Sequence, residues 1–125
     1  MRKKRRKASL IGSWKLVSFR VRRLRKGLID WADNVSGLLI YSADGTMSVA
    51  INSHDTKKDS LNHLLFYSGR FKVAKNTVKH FVENATLRSR IGQTMNRKYS
   101  LEGNTLTIES LPPSNHSILV WRRLK

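Results

Sequence analysis

No cysteine occurs among the 125 residues, which excludes disulfide bridges and thiolate metal sites and makes a reducing compartment, the cytoplasm, the expected location. Proline is nearly as scarce: the two present, Pro112 and Pro113, are adjacent, so every other segment is free to donate into a strand ladder. No window reaches the ~18 consecutive apolar residues that a membrane span requires. The basic start is followed by Ala8-Ser9-Leu10-Ile11-Gly12-Ser13, where polar residues interrupt any secretory apolar core, so neither a span nor a signal is expected. The four histidines, at 54, 63, 80 and 116, show no ligand spacing, and nucleophile elbows and phosphate-cradling glycine loops are missing. No metal and no cofactor is expected.

Acid is the other deficit. Lys and Arg outnumber Asp and Glu 25 to 8, giving a net charge of +17. Six of the cations are consecutive, Arg2-Lys3-Lys4-Arg5-Arg6-Lys7, and Arg20, Arg22, Arg23, Arg25 and Lys26 follow. Such a field attracts phosphate-rich partners, nucleic acid or an anionic membrane surface, through counterion release and steering. The alternative is a solvated, self-repelling tail that aids solubility. A chain of this length is one domain: a basic disordered tail over residues 1–9, then a folded unit over 10–125.

What is present is a succession of β-prone runs. Gly37 to Ile51 holds two of them joined by Ser42-Ala43-Asp44-Gly45, and Asp-Gly between such runs is a strong hairpin signal. Residues 10–21 read as a long first strand, with Trp14, Leu16 and Ser18 on one face and Val17, Phe19 and Val21 on the other. Residues 22–35 read as a loop or helical turn, and residues 60–65 as a short helix placed to close one end. Further strands are expected over 66–73, 77–87, 94–101, 105–110 and 117–123, with Asn and Gly at the turns. The expectation is an all-β, single antiparallel up-and-down barrel of about eight strands, a count that leaves room for side chains and one small ligand; an open sandwich is the alternative.

Four blocks of residues resemble the lipocalin-like domain family of small calycin-type barrels: Gly12-Ser13-Trp14-Lys15-Leu16-Val17-Ser18-Phe19, Gly37 to Tyr41 with Asp44 to Ser48, Tyr67-Ser68-Gly69-Arg70-Phe71, and Leu119-Val120-Trp121 with Arg123. The resemblance implies a barrel around a central cavity, with Arg123 stacked on Trp14 in a structural role at one end. Members commonly carry paired histidines where this chain has His80 and Phe81, an aromatic where it has Arg90, and an acid where it has Arg20.

Taking the more apolar face of each strand as inward places Met47, Val49, Ile51, Tyr67, Gly69, Phe71, Val73, Val78, His80, Val82 and Asn84 inside. Met95, Arg97, Tyr99, Leu101, Leu106, Ile108, Ile118 and Val120 join them by the same rule. The ligand-binding candidates are Met47, Val49, Tyr67, Phe71, His80, Arg97 and Tyr99, a mostly apolar set with a few orienting groups. Arg97 is the informative member, because no acid lies on any inward face and an unpaired buried guanidinium is costly. Its partner is therefore a ligand carboxylate, or backbone carbonyls at the rim. His80 is the weak candidate for general acid or base catalysis, since histidine titrates near neutrality, with Tyr67 and Tyr99 as helpers. Three functions follow: a carrier of a small hydrophobic or amphiphilic ligand, a cavity enzyme of cyclase or isomerase type, and electrostatic attachment to nucleic acid or anionic lipid through residues 2–7.

Overall fold

A computed structural model describes residues 9–53, 64–110 and 115–124. Among them are nine strands: β1 (Gly12–Arg23), β2 (Gly27–Asp30), β3 (Val35–Tyr41), β4 (Thr46–Ser53), β5 (Leu64–Val73), β6 (Thr77–Ala85), β7 (Thr94–Glu102), β8 (Thr105–Ser110) and β9 (Ser117–Arg123). They form one sheet in the order β2-β1-β3-β4-β5-β6-β7-β8-β9, and a β1–β9 pairing closes it. Every pairing is antiparallel. The fold is thus a closed up-and-down barrel of eight strands with β2 as an addition, and closure removes the exposed ladder edges an open sheet would leave. No helix among the described residues is long and apolar enough to cross a membrane.

Local chemistry accounts for the β3–β4 hairpin. Gly45 adopts φ 93, a left-handed value that glycine reaches without steric cost, and its N–H donates to the Ser42 carbonyl. One oxygen of Asp44 accepts from both the backbone N–H and the hydroxyl of Thr46. The alternation of β4, β5 and β8 then carries Met47, Val49, Ile51, Tyr67, Phe71, Val73, Leu106 and Ile108 into the core, as strand parity predicts.

Several segments differ from the sequence reading. In β1 the two proposed faces are both inward in succession: Trp14 and Leu16 are buried, a bulge intervenes between Leu16 and Ser18, and Phe19 and Val21 are buried after it. One extra residue in a strand reverses parity, which leaves Val17 outside. Residues 22–35 are not a loop or helical turn. β1 runs on to Arg23 and folds back through a tight turn into β2, with Val21 opposite Ile29, and Trp31 stacks on Phe19 with ring centroids 5.1 Å apart.

The inward residues of β9 are Ser117, Leu119 and Trp121, not Ile118 and Val120. Residues 118–121 are apolar at both parities, so alternation is silent there. Pairing with β8, which sets Leu119 opposite Ile108 and Trp121 opposite Leu106, decides the face. Asn84 is likewise exposed, its amide donating to Ser68, because a bulge in the β5–β6 pairing makes Ala85 the residue opposite Tyr67. The bulge brings the two backbones together: a Cβ on Gly69 would lie 1.8 Å from the Phe81 carbonyl oxygen, so only glycine fits. The short helix expected over 60–65 lies largely outside the described residues, and Leu64 and Leu65 open β5 instead.

The two ends of the barrel are unlike. At one, fully buried Leu10 accepts a hydrogen bond from the Trp14 indole, and the Arg123 guanidinium lies 4.2 Å from the Trp14 ring centroid. That guanidinium donates to the carbonyls of Ile11, at 3.0 Å, and Ser9. This end is packed shut. The other end, where the β1–β2 turn and the β6–β7 connection lie, holds the cavity.

Candidate ligand cavity

The cavity has a volume of about 390 Å³. Its walls are apolar, with Leu39 from β3, Val49 and Ile51 from β4, Met95 from β7, Ile108 from β8 and Leu119 from β9. Each sits there because period-two alternation turns it inward. At the mouth are Arg23, Trp31, Leu87, Arg90 and Asn115, where Arg90 belongs to the 3-10 turn Arg88–Arg90 in the β6–β7 connection.

Of the seven residues that the sequence nominated as ligand contacts, Val49, Tyr67, His80 and Arg97 line this space together. Met47 and Phe71 are buried in the core toward the packed end, Phe71 against the ring of Tyr41 with centroids 4.6 Å apart. Tyr99 is half-buried and packs against the same core.

The polar centre of the cavity wall is His80. Its Nε2 lies 2.6 Å from the Tyr41 hydroxyl and its Nδ1 lies 2.6 Å from the Tyr67 hydroxyl. Burial lowers the His80 pKa to about 3, with the positive charge of Arg97 adding to the effect, so the ring is neutral at physiological pH. Burial pushes the Tyr41 phenol well above its ordinary value, and the neighbouring Tyr67 pushes it further, against the charge of Arg97. The Tyr67 phenol is also raised by burial, while the charges of Arg97 and Arg90 and a hydrogen bond from Arg97 oppose the shift. Arg90 is lowered by burial, an effect that Tyr67 opposes and Arg97 reinforces.

Arg97 is half-buried beside the Tyr67 phenol; its Nη1 donates to the Asn96 carbonyl at 3.3 Å, and its Nη2 lies 3.4 Å from the Met95 sulfur. The ion pairs among the described residues, Arg20–Asp30, Arg70–Glu83 and His116–Glu109, all lie elsewhere. Three arginines, 23, 90 and 97, therefore line the cavity, and among the described residues no carboxylate lines it with them. Among the described residues no group of histidine and acidic side chains is arranged to hold a metal ion.

Sequence reasoning passed over Tyr41, Arg23, Arg90 and Ser110 as site residues. Tyr41 had a signal, since it shares parity with Leu39 on the buried face of β3. Arg90 had none, because it lies outside any alternating run. Trp31 was assigned to a loop and reaches the mouth only through its stack on Phe19.

A closed antiparallel barrel of this strand number, with a tryptophan–arginine stack at its packed end and an internal cavity behind it, is a lipocalin-like barrel. The chain belongs to the lipocalin-like domain family, which matches residues 11–58 and 51–124. Among solved structures it is similar to a fatty-acid-binding protein 1 of Echinococcus granulosus, at 12% identity and a TM-score of 0.50, over 94% of this chain and 99% of that one. It is also similar to a protein from Bacteroides thetaiotaomicron, at 16% identity and a TM-score of 0.49, over 95% of this chain and 92% of that one. A mutant of the fluorescent protein UnaG matches at 10% identity and a TM-score of 0.49, over 94% of this chain and 98% of that one. No curated protein matches the sequence.

Proposed function

We propose that this barrel binds a small hydrophobic ligand with an anionic head, the head at Arg97 and Tyr67 and the apolar body against Val49, Ile51, Ile108 and Leu119. The observation that carries the reading is the charge imbalance of the described lining: three arginines and, among the described residues, no acid around an otherwise greasy space. A guanidinium drawn partly out of water without a counter-charge is costly, and a bound carboxylate supplies the missing partner with charge-assisted hydrogen bonds. The volume of about 390 Å³ lies within the range of small-molecule sites.

Catalysis by His80 is the weaker alternative. A general base works best with a pKa near the operating pH, whereas His80 is held at about 3 with a phenol against each ring nitrogen. Cyclase or isomerase chemistry would need another group. Attachment to nucleic acid or anionic lipid through residues 2–7 rests on a segment outside the described residues.

Calorimetric titration with decanoate and with methyl decanoate tests the reading. Decanoate is expected to bind more tightly than its ester, and Arg97→Met to remove that preference with at least a roughly tenfold loss of affinity. Unchanged decanoate binding in Arg97→Met overturns it.

A further inference from the structure

A neutral histidine has one N–H donor and one bare nitrogen that accepts. His80 is neutral, and both phenols beside it keep their protons at physiological pH. One tyrosine therefore donates to the ring and the other accepts from it, and the two arrangements are not equivalent. Tyr41 is buried, and among the described residues His80 is the one hydrogen-bond partner of its hydroxyl. Were Tyr67 the donor, through Nδ1, then Nε2–H would point at Tyr41 and the Tyr41 proton would be left buried without an acceptor. With Tyr41 as donor to Nε2, the trio is satisfied: Nδ1–H goes to the Tyr67 oxygen, and the Tyr67 proton is free to turn into the cavity that Tyr67 lines with Arg97.

We infer that Tyr41 and His80 are positioning residues that lock the Tyr67 hydroxyl as a hydrogen-bond donor into the cavity, so that Tyr67 and Arg97 together select a head group that accepts, a carboxylate or similar oxyanion. The inference rests on the function proposed above and sharpens it. A head with only donors, such as an alkylammonium, meets a donor at Tyr67 and a like charge at Arg97. A neutral acceptor such as an ester keeps the Tyr67 bond and loses the charge. The direction of the chain of hydrogen bonds is set where the barrel is driest, at Tyr41, and delivered where the ligand sits.

Nitrogen-15 NMR of His80 in the ligand-free protein at pH 7 reads the tautomer directly. The expected result is protonated Nδ1 and bare Nε2, the minority form of free histidine, since the partner of each ring nitrogen decides which carries the proton. Protonated Nε2 overturns the relay, whether or not decanoate binds. In Tyr41→Phe the tautomer is expected to become mixed and decanoate affinity to fall about five- to tenfold with Arg97 untouched. A tautomer and an affinity both unchanged in that variant overturn the inference. Protonated Nδ1 together with decanoate binding that survives Arg97→Met upholds the relay and sinks the functional reading instead, so the two failures are told apart.

Discussion

Tyr41 on β3 and His80 on β6 meet at 2.6 Å, although two strands, β4 and β5, separate them in the sheet. Their contact exists because the sheet curls into a barrel and brings inward side chains of non-adjacent strands together. The polar centre of the cavity is thus a product of closure, and it depends on pH, on the bulges that set parity and on the packing of the opposite end.

Acid should destabilise the protein through His80. The ordinary histidine pKa is 6.5 and that of buried His80 is about 3, so between those values the unfolded chain takes up a proton that the folded chain refuses. Stability is complete above pH 6.5 and falls as pH drops toward 3, at up to about 1.4 kcal/mol per pH unit from this one group. Denaturant titrations of wild type and His80→Gln at pH 7, 6 and 5 check the sign: the variant is less stable at pH 7 but loses less on acidification. Parallel slopes would refute the assignment.

Gly69→Ala should be among the most damaging single changes. The added Cβ meets backbone, the Phe81 carbonyl oxygen at 1.8 Å, and backbone in a closed ladder cannot swing aside. A loss of about 3 kcal/mol or more is expected, measured as a fall in the urea midpoint.

Arg123→Leu should cost about 2 kcal/mol, because it removes the stack on Trp14 and the donors to the Ile11 and Ser9 carbonyls. For a chain of this size the corresponding fall in Tm is roughly 6–10 °C. Ligand affinity should stay as in wild type, since Arg123 lies at the packed end and the cavity at the other. A change in affinity without a change in Tm would contradict this division of the barrel.

Arg90 stands at the mouth, half-buried, where its charge reaches Tyr67. Arg90→Ala should slow the association of decanoate by about two- to fivefold at low ionic strength and leave dissociation nearly unchanged, the signature of steering by a rim charge. Stopped-flow measurements at low and high salt check it. The difference should shrink as salt screens the charge.

Much of the barrel was legible residue by residue. Asp44-Gly45 marked the β3–β4 hairpin, and period-two alternation placed Met47, Val49 and Ile51, then Tyr67 and Phe71, then Leu106 and Ile108, on the buried face. Arg97 and His80 were found in the same way, as polar residues on faces otherwise apolar. What failed did so for stated reasons. The bulges in β1 and β6 each insert a residue that reverses parity, so Val17 and Asn84 were misjudged; β9 is apolar on both faces; and β2, four residues long, is too short to read as a strand.

The hairpins β3–β4, β5–β6 and β7–β8 were determined by the sequence alone, because turn residues and alternation act over a few positions and need nothing distant to be read. Only the tertiary structure decided where the hollow lies and what His80 touches. Those depend on register shifts and on the β1–β9 closure, which bring Tyr41, Tyr67, His80 and the guanidinium of Arg97 to one place across segments far apart in the chain.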